Sequence, residues 1–329
     1  MGSKKSMDSG MAELDKRPEI LMGLKKAVTE PMDRLKERCQ QKLRQLSSSS
    51  IPKLLYHYTD TRGFMGIVSN HELWASRIDF LNDTSELSYS RNLLKARLDH
   101  FRRQLKDAEE MRLLDWLEAS GPDFVREYFK VYAIALSSKD DDVSQWRGYS
   151  GGLGGYSIGF DFTEVGLATS IFEARKKLEP RMIEMVYDAD KQTECLDDLL
   201  QQMMEVFRAL RTDTDPNFIR DIGRFICQDI INLLADYLIR FKNSVFHEEK
   251  EWRLVILGNV GEDVNYRESR FGLIPYFKAR ERPLAIKTVV QGPRVEPELS
   301  KEAVEGFLAK HGYRSPDVEV RLSKVPLRY

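Results

Sequence analysis

The sequence predicts an α+β protein built on a mixed, mainly antiparallel sheet. Three observations lead there. Short apolar segments of strand character, such as residues 131–137, 156–160 and 252–257, recur along the chain. Helical stretches separate them without the regular strand–helix–strand repeat of a doubly wound sheet. With 329 residues, 42% of them hydrophobic and 31% charged, the chain can bury a substantial core.

Residues 1–10 read as a flexible leader, with Met11 an alternative start. From Met11 to about Leu46 helix formers dominate, and Ile20, Leu21, Leu24, Val28, Met32 and Leu35 fall near helical spacing. Pro18 and Pro31 are expected to break this stretch into a helical arm or helix pair. The serine run 47–50 and Pro52 then mark a linker. The expected division is therefore a leader and arm over 1–50, and a single α+β domain over 51–329 with helical insertions at about 84–130 and 190–242. That domain opens on a strand, Leu54-Leu55-Tyr56-His57-Tyr58-Thr59. Phe64, Met65, Ile67 and Val68 predict a short helix over 61–70, and 72–76 is a short extended piece. Thr84 is placed to cap one long helix reaching about Glu118. After the strand at 131–137, Gly151, Gly152, Gly154 and Gly155 form a loop that lets backbone approach a ligand or lets a lid move, and the strand at 156–160 follows. Helices are expected at about 190–211 and 216–242, then the strand 252–257, strands near 271–277 and 284–290, a helix near 296–311 and a last strand near 317–322.

Composition removes several functional classes. The 51 basic and 52 acidic residues nearly cancel, so no global field drives the chain onto nucleic acid or an acidic membrane. Cys39, Cys195 and Cys227 are scattered and odd in number, which argues for a reducing compartment and against a disulfide framework or a structural zinc site. No run approaches a membrane span and the N-terminus lacks the apolar core of a signal peptide, so a cytoplasmic location is expected. There is no P-loop, dinucleotide fingerprint, GxSxG elbow or HExxH, and no metal is expected.

What remains is a pair of segments. On an extended 55–59, Leu55, His57 and Thr59 share one face, while Tyr56 and Tyr58 share the other. Alone, His57 reads as a structural histidine bonded to a backbone carbonyl. In His247-Glu248-Glu249-Lys250-Glu251-Trp252-Arg253, period-two alternation puts Glu249, Glu251 and Arg253 on one side. Two carboxylates beside a guanidinium suit an active site and an ordinary ion-pair network about equally. Asn82-Asp83-Thr84-Ser85-Glu86 reads as a helix cap.

Five motifs in order resemble a bacterial family of uncharacterised domains over about 51–329. They are Leu55-Tyr56-His57-Tyr58-Thr59; Glu72-Leu73-Trp74 with Asn82-Asp83 and Glu86; Trp146 and Tyr149 with Gly155 to Phe160; Glu249-Lys250-Glu251-Trp252-Arg253; and Gln291-Gly292-Pro293 with Val325-Pro326. More distantly, the order of a strand histidine, a central Tyr or Ser strand and a late glutamate strand is similar to the ADP-ribosyltransferase superfamily. That resemblance implies an ADP-ribosyltransferase-like fold with NAD as co-substrate. It implies that His57 holds NAD, Tyr156 or Ser157 supports the nicotinamide end, and Glu251, with Glu249 upstream in an ExE pair, bonds the nicotinamide ribose. Tyr58 and Arg253 complete the expected NAD contacts. The large helical insertion after the first motif and the segment 145–149 depart from the superfamily pattern.

The leading expectation is thus an NAD-using transferase or NAD glycohydrolase in a bacterial toxin, stress or antiviral setting, acting on protein, nucleic acid or water. The runner-up is a nucleic-acid-processing or nucleic-acid-binding effector in which His57, Glu249, Glu251 and Arg253 act on phosphates. The third is a noncatalytic sensor or partner-binding module, with the N-terminal helices as an interaction or self-association arm. The third gains if His57 and Glu251 prove to lie in separate places.

Overall fold

The structure is a computed structural model that describes residues 18–46, 50–81, 86–128, 131–150, 154–162, 179–212, 229–257, 264–269, 272–280, 283–293 and 297–326. The leader, Thr84 with its neighbours Asn82 and Asp83, and Gly151 and Gly152 lie outside the described residues. The protein is mixed α+β, as expected, and divides into two compact units.

One unit gathers Met1–Leu46, Tyr89–Val125 and Asp188–Phe241. Its first helix, Pro18–Leu46, runs unbroken past the expected break at Pro31. Pro18 sits at the first helical position, where a missing N–H costs nothing. Beyond Pro31, burial of Met32, Leu35, Cys39 and Leu43 at helical spacing holds the turn pattern together. The long helix expected over 84–118 is instead two helices, Glu86–Arg102 and Ala108–Tyr128. In the join, Asp107 Oδ1 accepts from the amides of Glu109 and Glu110, which starts the second helix. The helix Ala189–Thr212 and a helical segment at 229–238 complete the unit. Cys39 and Cys195 are free and buried here, and burial pushes both thiols up to about 11, far from nucleophilic thiolate character.

The other unit, Ser47–Ser88, Arg126–Tyr187 and Lys242–Tyr329, carries the sheet. Ten described strands form it: β1 (Leu54–Thr59), β2 (Glu72–Arg77), β3 (Val131–Ser137), β4 (Tyr156–Asp161), β5 (Glu179–Glu184), β6 (Glu251–Leu257), β7 (Asn265–Ser269), β8 (Gly272–Arg280), β9 (Ile286–Gln291) and β10 (Glu319–Leu322). All pairings are antiparallel except β9 with β10. Sequence patterning missed β5 and β7. β7 alternates half-buried with exposed residues and contains charged Arg267 and Glu268, so it lacks an apolar run.

Alternation sorts the two faces. On one, Leu55, Ile134, Leu136, Ile158, Trp252 and Leu254 join the main core with Phe64, Ile67 and Val68 of the helix Thr61–Asn70 and with Val304 and Leu308 of the helix Pro297–Lys310. Asp60 caps the first of these helices by accepting from the Gly63 amide at 2.7 Å. On the other face, Tyr56, Tyr58 and Val290 pack with Trp146 of a short helix, Val143–Tyr149.

β3 organises the centre. Along one edge it pairs with β6 from Val131↔Leu257 to Ser137↔Glu251. Its other edge is shared: β1 meets it at Tyr56↔Ser137, and β2 at Ser76↔Ala133 and Arg77↔Tyr132. β1 and β2 therefore fork away from the middle of β3. The tight approach of Gly155 is to the protein itself: an added Cβ would lie 2.5 Å from the Thr59 carbonyl. That glycine serves the packing of β4 on the end of β1, where a ligand-approach or lid role was expected of the run.

Candidate functional site

The described residues bring together an ion cluster at the start of β6. The chain enters it through a 3₁₀ turn, Ser244–Glu249, capped by the Asn243 side chain. Glu249 thus ends a turn instead of lying on the strand as expected, and Lys250 follows in the left-handed region at φ 45°. This reversal still aims Glu249 and Glu251 at one point. Lys242 Nζ donates to Glu249 Oε2 at 2.5 Å and to Glu251 Oε2 at 2.6 Å. Arg253 grips Glu251 in a fork, Nε to Oε1 at 2.6 Å and Nη2 to Oε2 at 3.0 Å.

Neighbouring elements fix the cluster. The Lys242 amide donates to the Val186 carbonyl at 3.0 Å, and its ammonium lies over the Phe246 ring. The Glu251 amide donates to Tyr187 Oη at 3.0 Å, while Ser137 Oγ donates to the Glu249 carbonyl at 2.7 Å. Tyr149, on the short helix, places its hydroxyl 3.5 Å from Glu249 Oε1.

Burial and charge decide the protonation states. The side chains of Lys242, Glu251 and Arg253 are 4%, 7% and 4% exposed, and Glu249 is 16% exposed. Burial alone would push the Glu251 carboxyl up, but Arg253 and Lys242 outweigh it and hold the group below the usual carboxylate range. Burial raises the Tyr149 phenol, and the Glu249 charge raises it further, so Tyr149 stays a neutral donor. Both Glu251 oxygens are taken by the two cations. Among the described residues, Glu249 Oε1 has only the long Tyr149 contact, and it can accept a donor from a bound molecule.

His57 does not join this cluster. β1 residue Tyr56 pairs with Ser137, which pairs with Glu251, so Tyr56 shares the Glu251 face and His57 leaves β1 on the opposite side. The expected convergence of His57 and Glu251 is therefore not formed. Instead, His57 fills the fork between β1 and β2, where its Nδ1–H donates to the Ala135 carbonyl at 2.9 Å in place of a ladder partner. A carbonyl can only accept, so Nδ1 carries the proton. Burial lowers the His57 pKa and nearby Arg267 lowers it further, against the pull of the Ala135 bond. Below about pH 6.5 the unfolded chain takes up a proton that folded His57 refuses, so stability falls as the pH falls toward the folded pKa. Urea unfolding at pH 7.5 and pH 5.5 should show a smaller acid loss for His57→Gln than for the parent.

The other expected NAD contacts are also placed. Tyr156 stacks on Phe64 in the main core, with ring centroids 4.1 Å apart. Ser157 is fully buried opposite Tyr58. Tyr58 Oη donates to the Lys139 carbonyl at 2.9 Å and accepts from the Asp142 amide at 3.1 Å, bracing the loop before the short helix. Arg253 is committed to Glu251. Lys242, Tyr149 and Tyr187 are the members that sequence reasoning left unassigned. Tyr149 lay within a singled-out motif, whereas a lone lysine seven residues before Glu249 carries no periodic signal.

Fold and site together define a mixed α+β protein with a carboxylate-centred ion cluster at the mouth of a central strand. Residues 145–254 match a family profile described as "Protein of unknown function (DUF2971)", in keeping with the expected kinship to an uncharacterised family. The match spans Trp146, Tyr149, Tyr187, Lys242, Glu249 and Glu251, and reaches Arg253; His57 lies outside it. No curated protein and no solved structure matches the chain. No helix among the described residues is long and apolar enough to cross a membrane.

Proposed function

We propose that this chain is an NAD-using enzyme of glycosyl transfer, ADP-ribosyltransferase-like or an NAD glycohydrolase, with Glu249 as the reacting carboxylate. The reading is supported by one observation above others. Two carboxylates of an ExE pair meet on one buried ammonium, one saturated by cations and the other with an oxygen left to accept. In this scheme the bond between the ribose C1′ and the nicotinamide nitrogen breaks, and the electron pair leaves with nicotinamide. Glu249 stabilises the oxocarbenium character at C1′ and takes the proton of the acceptor O–H or N–H that forms the new bond. Lys242, which bridges the two carboxylates, is a positioning residue that holds Glu249 in place, and Glu251 and Arg253 fix Lys242 in turn.

Nicotinamide release from NAD by the purified full chain tests this. Glu249→Gln should lower turnover at least about 100-fold with little change in melting temperature. Turnover equal to the parent's would exclude Glu249 as the reacting group.

A second reading, a noncatalytic sensor or partner-binding module, is favoured by the placement of His57 and Tyr156 away from Glu251. It is the reading left if the parent releases no nicotinamide with water, protein or nucleic acid as acceptor. The phosphate-processing alternative gains nothing from the cluster, because Lys242 and Arg253 are already matched by Glu249 and Glu251.

A further inference from the structure

A different group on the sheet carries an unmet chemical demand. Arg267, on β7, lies with its Nε buried and without a hydrogen-bond acceptor, and its Nη2 donates to Ser76 Oγ at 3.2 Å. Among the described residues no carboxylate lies within ion-pair distance of it. Nearby His57 is held in its neutral form, and burial lowers the proton affinity of the Arg267 guanidinium itself. A guanidinium drawn partly out of water without a counter-ion is unfavourable unless something supplies the anion. Its planar fork of donors matches the oxygens of a carboxylate or a phosphate.

Next to it is an aromatic platform. Trp74 is 42% exposed, stacks on Tyr276 with centroids 4.4 Å apart, and is pinned by its Nε1–H donating to Glu72 Oε1 at 2.9 Å. Ser76 and Trp74 are two residues apart on one face of β2, about 7 Å, and Tyr276 lies directly opposite Ser76. A large ring held rigid with one side toward solvent is organised in advance for stacking, and a flat base beside an anion is the ligand that uses both features.

We propose that Arg267 and Ser76 receive a phosphate of a nucleotide whose base stacks on Trp74. Register places this site on the same face of the sheet as Glu251: Ser76 pairs with Ala133, and Ser137, four residues on along β3, pairs with Glu251. The site therefore suits the adenylate end of NAD; that identification rests on the reading above, while nucleotide binding itself does not.

Isothermal titration of the full chain with ADP, adenosine and inorganic phosphate tests it. ADP should bind the parent, about tenfold or more weaker to Arg267→Ala and about fivefold or more weaker to Trp74→Ala. Arg267→Met should melt no lower than the parent, because it removes an uncompensated charge, and ADP should raise the melting temperature of the parent but not of this variant. No ADP binding by the parent, or equal binding by both variants, overturns the proposal. Phosphate binding as tightly as ADP, with Trp74→Ala without effect, overturns the nucleotide assignment. ADP binding that persists while NAD is never turned over overturns the glycosyl-transfer reading and leaves this site standing.

Discussion

Glu251→Ala is expected to lower folding stability by about 3–5 kcal/mol, because it strips the shared anion from two cations that stay buried. Lys242 keeps Glu249, but Arg253 loses both oxygens of its fork. Against a total stability of about 5–15 kcal/mol for a typical domain, that is a large fraction. Chemical denaturation measures it, and a loss below about 1 kcal/mol would mean that water reaches the cluster. Replacing Glu251 and Arg253 together by apolar residues should recover part of the loss, since the buried guanidinium then leaves with the carboxylate that it grips. The same carboxylate sets an acid limit. Its folded pKa lies below the unfolded value of about 4.3, so its contribution is complete above that pH and is lost as the pH falls through the folded pKa.

Trp146→Ala is expected to cost about 3–5 kcal/mol through a cavity beneath the short helix. Trp146 is 1% exposed and meets Tyr58 edge-on with centroids 4.8 Å apart. Its Nε1–H donates to Asp141 Oδ1 at 2.7 Å, and Asp141 also accepts from Ser323 Oγ and the Lys324 amide. Trp146→Phe should cost less, because its ring refills much of the cavity that alanine leaves. Hydrogen exchange at the Lys324 amide gives a local measure: it should speed in Trp146→Ala, and an unchanged rate would show that Asp141 is held without the indole.

Much of the sheet was legible because its strands carry apolar residues in short runs or at alternate positions. β4 and β6 announce themselves as short strand-like segments, and the helix Thr61–Asn70 by the spacing of its apolar residues. β7 was not legible, since its order comes from pairing with β8 and not from its own apolar residues. The site was half legible. Glu249, Glu251 and Arg253 lie within five consecutive positions, so local spacing could group them. Lys242 could not be grouped, because its link to them runs through a 3₁₀ turn and a left-handed residue, Lys250, that no pattern of apolar residues encodes.

The sequence by itself determined the α+β class, the strand identity of His57 and the facing of Leu55 and His57 away from Tyr56 and Tyr58, because period-two alternation is a local property of the backbone. Only the tertiary structure decided what those faces meet. Strand pairing through Ser137 sets Glu251 on the side of Tyr56, and the fork at β3 gives His57 a carbonyl to bond in place of a partner carboxylate. Register between distant strands depends on long-range pairing, and a shift of one residue exchanges the two faces.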